Sequence, residues 1–146
     1  MNLSGTFGIS ASALSAERLR LDTIASNLAN AQTTRTPEGG PYRRRNVVLM
    51  AQDTENDFGA TLEALNERDA RQGVAVVDVV EDQTPPRMVF DPGHPDADAQ
   101  GRVAYPNVDP ISEMVDLMAA TRAYEANVQA VNATKRLAEA ALSIGG

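Results

Sequence analysis

The sequence predicts an α+β chain: long N- and C-terminal helices packing as an antiparallel coiled-coil pair, with a small antiparallel β-rich domain inserted between them. Three observations carry this. Residues 8–32 and 110–144 each bear one thin apolar stripe at helical spacing. The segment between them is rich in Pro, Gly and acidic residues and holds short β-branched runs. Charge is segregated along the chain. Residues 1–50 carry six Arg against three acids (+3), residues 51–110 four Arg against thirteen acids (−9), and residues 111–146 three bases against four acids (−1), within a net charge of −7. Nearly neutral ends suit packing together, and an acidic middle suits solvent. The expected division is therefore 1–32, 33–108 and 109–146.

In the first helix Phe7, Leu14, Leu21 and Leu28 recur every seven residues, with Ala11, Ile24 and Ala25 at the intermediate steps. A seven-residue repeat on a 3.6-residue helix marks a coiled-coil seam rather than a broad core face. Such a helix of about 25 residues is about 38 Å long. The second helix has clear boundaries: Asp109 reads as the N-cap, Pro110 as the first helical residue, and Gly145-Gly146 close the chain. Its stripe runs Leu117, Thr121, Tyr124, Val128, Val131, Lys135, Ala138 and Leu142, and Ile111, Met114 and Met118 are read as widening it near the start.

The middle opens with a Pro- and Gly-containing loop at 33–41. Residues 42–50 read as a strand, 53–72 as a polar acidic loop with a helical turn near 61–65, and 74–80 as a β-branched strand. Pro85-Pro86 breaks the run, 87–90 returns, 91–101 is a turn, and 103–105 adds a last short strand. The expectation is one antiparallel sheet of three or four strands.

Composition excludes several functions. With no Cys, disulfides and thiol chemistry are out. Three Phe, three Tyr and no Trp leave few large side chains for a core. The acidic balance argues against nucleic acid, because affinity there rests on neutralising phosphates. No apolar run reaches the roughly 18–20 residues needed to insert across a membrane. Ala11-Ser12-Ala13 mimics a signal-peptide cleavage site, but no basic residue precedes it and there is no apolar stretch before it, so export would take another route.

No constellation of catalysis, cofactor or metal survives inspection. The single His94 sits in Asp91-Pro-Gly-His-Pro-Asp-Ala-Asp98, which Pro and Gly already explain as an exposed turn. Residues 96–101 begin like a calcium loop, but position twelve is Asn107 rather than Glu and no helix leads in. The basic run Arg43, Arg44, Arg45 beside Tyr42 is short and is read as meeting an acidic neighbour, such as the middle of another copy. Asn27, Asn30, Asn127 and Asn132 interrupt the helices, where Asn is mildly unfavourable. They lie either on solvated faces or across helix contacts, bonding through their amides and fixing register.

The motifs Ser10-Ala-Ser-Ala-Leu14, Arg18-Leu-Arg-Leu21 and Ile24-Ala-Ser-Asn-Leu-Ala-Asn30 resemble the N-terminal signature of flagellar rod and hook proteins. Glu113-Met-Val-Asp-Leu117 with Arg122-Ala-Tyr-Glu-Ala-Asn127 is similar to their C-terminal signature. Thr34-Arg-Thr36, Gly39-Gly-Pro-Tyr-Arg-Arg44, Val80-Glu-Asp82, Pro85-Pro-Arg87, the 91–98 turn and Val103-Ala-Tyr-Pro-Asn107 look like the proximal-rod branch of that family. The likeness covers nearly the whole chain except about 52–72. It implies a non-enzymatic axial subunit of the periplasm-spanning basal-body rod, transmitting torque and lining an export channel. It also implies termini that are disordered before assembly. Implied partners are copies of itself, other proximal and distal rod proteins, the rod-to-ring adaptor and the flagellar type III export apparatus.

On that resemblance Leu14, Leu21, Ile24, Leu28, Leu117, Tyr124, Val128, Val131 and Leu142 pack helices, while Asn27, Asn30 and Asn127 lock register. Tyr42 and Arg43 to Arg45 place the following loop against a neighbour. The rival from patterning alone is a cytoplasmic coiled-coil adaptor that oligomerises through the same seams.

Overall fold

Each regular element begins where the local chemistry allows it. The computed structural model describes residues 3–52 and 73–144. In order they form α1 (Leu3–Ala29), β1 (Arg45–Gln52), β2 (Gly73–Glu81), β3 (Arg87–Phe90), β4 (Arg102–Tyr105) and α2 (Pro110–Ile144). The acidic stretch 53–72, with its expected turn, lies outside the described residues.

The α2 start is built as expected. The Asp109 carboxylate accepts the Ile111 N–H at 3.1 Å and the Ser112 hydroxyl at 3.0 Å. The Ile111 N–H is one of the backbone donors that the first helical turn leaves without partners. The two bonds also hold the Asp109 carboxyl below the usual carboxylate range, the Ser112 hydroxyl first and the Ile111 N–H next. At its far end α1 stops at Ala29, three residues before the expected limit. There the Asn30 side chain donates to the Ser26 carbonyl at 2.9 Å and accepts the Thr33 hydroxyl at 3.2 Å. The chain then turns through Gly39 (φ 91°) and Gly40 (φ 76°), positions that favour glycine. Tyr42 gives its N–H to Thr33 at 3.0 Å, so the strand begins at Arg45 rather than at 42.

The strands form two separate two-stranded sheets, β1–β2 and β3–β4, rather than the single sheet expected. Pro85 and Pro86 have no N–H to continue a ladder. The Asp82 carboxylate turns the chain just before them by accepting the Thr84 N–H at 2.8 Å. Contacts at the end of the first pair run Arg43 to Gln83, the Arg44 carbonyl to Asp82, and Arg45 to Glu81. Partners descend on one strand as they climb on the other, which is an antiparallel order. In the second hairpin Arg87 faces Tyr105, Met88 Ala104, Val89 Val103 and Phe90 Arg102.

The chain divides into two units, and every element except β3 and β4 contributes to both. One unit comprises Arg20–Val47 with Val79–Ala120. Its interior holds Ile24, Asn27, Val103, Pro106, Val108, Glu113 and Ala120. The other comprises the chain's outer helical halves with Val48–Asp78. Ala16 is buried there, and the Ser12 hydroxyl accepts the Val74 N–H at 3.1 Å.

The heptad residues Phe7, Leu14, Leu21 and Leu28 are all only half-buried. The buried positions described on α1 are Ser10, Ala16, Thr23, Ile24 and Asn27, all but Ile24 smaller or polar. On α2 the stripe Leu117, Tyr124, Val128 and Val131 is half-buried, whereas Leu142 is 79 % exposed. Ile111, Met114 and Met118 do not widen that stripe. At about 100° per residue Ile111 and Met118 lie 100° or more round the helix from Leu117, and Met114 only flanks it, and all three are exposed together with Val115.

Candidate functional site

The deepest polar chemistry of the chain gathers where the end of α1, the start of β1 and the start of α2 meet, within the Arg20–Val47 and Val79–Ala120 unit. Asn27 is 1 % exposed and Glu113 fully buried. The Asn27 amide uses its whole capacity of two donors and two lone pairs. Its Nδ2 donates to the Arg45 carbonyl at 2.9 Å and to Glu113 Oε2 at 3.1 Å. Its Oδ1 accepts the Arg45 N–H at 2.9 Å and the Tyr42 hydroxyl at 2.9 Å. Glu113 Oε1 accepts Arg44 Nε at 2.5 Å, and Arg44 Nη2 reaches Asp116 at 3.5 Å.

Local sequence explains why these groups converge. Asn27 lies on the buried line of α1, four residues after Thr23 and three after Ile24. Glu113 lies in the first turn of α2, where an acid is favoured by the helix dipole. The loop closed by Tyr42 and Thr33 delivers Arg44 and Arg45 between them. Burying a carboxylate is costly unless it is paired and hydrogen-bonded. Here one oxygen takes a guanidinium and the other an amide, so both requirements are met.

Of the residues expected to act together, Asn27, Tyr42, Arg44 and Arg45 are brought to one point, each with an intrachain partner. Arg45 also pairs with Glu81 at 3.2 Å and lies 5.9 Å from the Tyr42 ring centroid. Arg43 is exposed and bonds Gln83 at 3.0 Å. Ile24 is buried nearby, and Leu21, Leu28 and Leu117 are half-buried in the same unit. Asn30 is absent from the cluster because it caps α1. Asn127 is absent too: it donates back to the Ala123 carbonyl at 3.0 Å. Glu113 is the residue that sequence reasoning passed over. Within Glu113-Met-Val-Asp-Leu117 it is one acid among several, and nothing in one sequence pairs it with an arginine sixty-nine positions away.

The 91–101 turn spends its polar groups on itself and on the 33–36 loop. Asp98 accepts the N–H groups of Arg102 and Gln100, each at 2.8 Å, and pairs with the Arg102 guanidinium at 3.2 Å. The Arg102 N–H is the chief cause holding its carboxyl below the usual range. Asp96 accepts the Thr34 hydroxyl at 2.8 Å, while His94 Nδ1 accepts the Asp96 N–H at 3.1 Å. Among the described residues no group of three or more His, Cys, Asp or Glu could hold a metal ion. No described helix is long and apolar enough to cross a membrane.

Two family models match the chain. Residues 7–35 match the flagella basal body rod protein model, and residues 99–144 match the flagellar basal body rod FlgEFG protein C-terminal model. Curated relatives match along the full length. The flagellar basal-body rod protein FlgC of Bacillus subtilis is 45 % identical over 144 residues, 96 % of each chain. That of Escherichia coli O6:H1 is 43 % identical over 99 % of each. The chain belongs to the FlgC family. The relationship is wide, since the Aquifex aeolicus FlgC is still 34 % identical over 95 % of this chain and 94 % of its own. Within this FlgC-family chain the buried cluster joins the two matched regions: Asn27 lies in one, Glu113 in the other, and Arg44 in the span between them.

Proposed function

We propose that this FlgC-family chain is a structural subunit of the flagellar basal-body rod that polymerises through α1 and α2. The full-length relationship to rod proteins carries the reading. A cytoplasmic adaptor has no comparable support. In the finer picture α1 and α2 run as an antiparallel coiled-coil pair, and copies pack these helices into a layer around an export channel. Asn27 at the end of α1 touching Glu113 at the start of α2 supports the antiparallel sense. The apolar surface left open on α2 supports burial by neighbours, because Ile111, Met114, Val115, Met118, Leu137 and Leu142 are all more than half exposed. The seam positions Leu14, Leu21, Leu28, Leu117, Tyr124, Val128 and Val131, half-buried in one chain, would complete their burial in the assembly.

The partners of this reading are further copies, the other rod proteins and the rod-to-ring adaptor. The location is the periplasm-spanning rod, reached through the flagellar type III apparatus without a cleaved signal. Arg43 and Arg45, which keep exposed surface beyond their intrachain contacts, would meet acidic groups of a neighbour.

The test is gene deletion followed by a swimming assay and electron microscopy of purified basal bodies. Membrane rings without a rod, rescued by the intact gene but not by Leu21→Asp or Val128→Asp, would uphold the reading. Normal swimming and complete rods after deletion would sink it.

A further inference from the structure

We infer that the open face of α2 receives α1 of a second copy of this chain, antiparallel, with Arg18 meeting Glu125 and Asp22 meeting Arg122. The inference rests on the reading that copies polymerise through these two helices, and it states which helix meets which and in what register. On α2, Ile111, Val115, Met118, Arg122, Glu125 and Gln129 follow alternating steps of four and three. At 100° per residue they stay within about 40° of one line. All six are exposed, and the three apolar ones are more than half exposed. The line lies on the opposite side of α2 from Glu113 and Ala120, which are buried in their own chain. The counterpart is on α1. Ala11, Ser15, Arg18, Asp22, Ala25 and Ala29 follow the same steps, are all exposed, and lie away from the buried Ala16 and Asn27. No ion pair between described residues takes up Arg18, Asp22, Arg122 or Glu125.

Run antiparallel, the two lines fit in one register along their length. With Arg18 on Glu125 and Asp22 on Arg122, Ala25 falls opposite Met118 and Ala29 opposite Val115. Large side chains then enter the space that small ones leave. In the other direction Ser15 meets Gln129, polar on polar. Every other pairing of these faces fails on one count. Parallel helices set Arg18 on Arg122 and Asp22 on Glu125, and like charges facing each other reject a partner. Two antiparallel copies of α1 also pair Arg18 with Asp22, but they leave Ile111, Val115 and Met118 in water. Two antiparallel copies of α2 pair Arg122 with Glu125, but they lay Met118 on Gln129 and Val115 on Asn132. Complementary charges across an interface choose the partner and its orientation more than they add affinity. Here that choice agrees with the apolar fit. Because α1 of one copy meets α2 of the next, the contact is heterologous, and the last copy in a row still offers a free face to another.

The test is made on purified basal bodies, where the chain is assembled, and the sequence has no cysteine to interfere. Cells carry two copies of the gene with different epitope tags, one Ala29→Cys and the other Val115→Cys. Mild oxidation should give a disulfide-linked dimer bearing both tags, because facing positions bring the Cα atoms within the roughly 4.4–6.8 Å that a disulfide spans. Asn132→Cys in place of Val115→Cys moves the thiol about 25 Å along the same face, and the dimer should be lost. Rods that contain the chain but give no Ala29→Cys to Val115→Cys product, or as much product with Asn132→Cys, overturn the inference and leave the rod reading standing. Rods without the chain overturn both. A second set of variants needs no cysteine and decides the matter if the labelled chains fail to assemble. Asp22→Arg and Arg122→Asp should each impair swimming, and the two combined in one chain should restore it. Single reversals that swim as the parent does, or a combination no better than either, overturn the inference.

Discussion

At the residue scale the chain concentrates its specificity in Asn27 and Glu113. Each is satisfied by groups far away in sequence. Removing one partner from a buried, hydrogen-bonded charge typically costs about 3–5 kcal/mol. Glu113→Ala leaves the Arg44 guanidinium and the Asn27 amide facing apolar surroundings, and should lower the unfolding free energy by about that amount in urea titration. Asp109 makes a different prediction. Its carboxyl is held below the ordinary 3.8 by the Ser112 hydroxyl and the Ile111 N–H. A depressed carboxylate contributes stability that is present above the ordinary value and is lost as pH falls through the folded one. Asp109→Asn keeps the cap but should flatten this acid-side loss, as followed by helical circular dichroism between pH 5 and about pH 2.

At the element scale the hairpin β3–β4 depends on one glycine. Gly101 has φ 71°, and a Cβ there would meet the Phe90 ring and Pro92 at 3.1 Å. Gly101→Ala should cost about 1–2 kcal/mol for the left-handed conformation alone, read as a lower midpoint in thermal unfolding. Elements were the most legible part of the sequence. Pro110 with Asp109 before it marked the start of α2 to the residue, and 87–90 was placed as observed. The sheets were not legible as such, because alternation marks a strand without naming its partner. Pro85-Pro86, correctly read as a break, also separated two ladders that had been joined in expectation. The seam was half legible. Periodicity found the right helices, but the large leucines drew attention to a line that is only half-buried, while Ala16, Thr23 and Asn27 go deeper. Hydropathy ranks side chains by size and polarity. It does not show that an asparagine with four partners can be buried.

For the whole molecule, the open apolar stripe at Ile111, Met114, Val115 and Met118 separates folding from assembly. Met118 is 55 % exposed, so Met118→Asp should leave the fold and its thermal midpoint unchanged within about 0.5 kcal/mol. If neighbours cover the stripe, the same substitution should abolish swimming and deplete rods in purified basal bodies. Swimming cells carrying Met118→Asp would place the assembly surface elsewhere on the chain.

The two bonds between the Asn27 amide and Arg45 have a consequence for how the chain avoids the wrong polymer. The side chain accepts the Arg45 N–H and donates to the Arg45 carbonyl, each at 2.9 Å, as the backbone of an adjoining strand would. An unoccupied strand margin is a template on which any extended peptide can add and aggregation can begin. At Arg45 that template is already filled by one side chain from a helix. A chain crowded with its own copies thereby loses one place for amyloid-like growth and keeps its helical faces open.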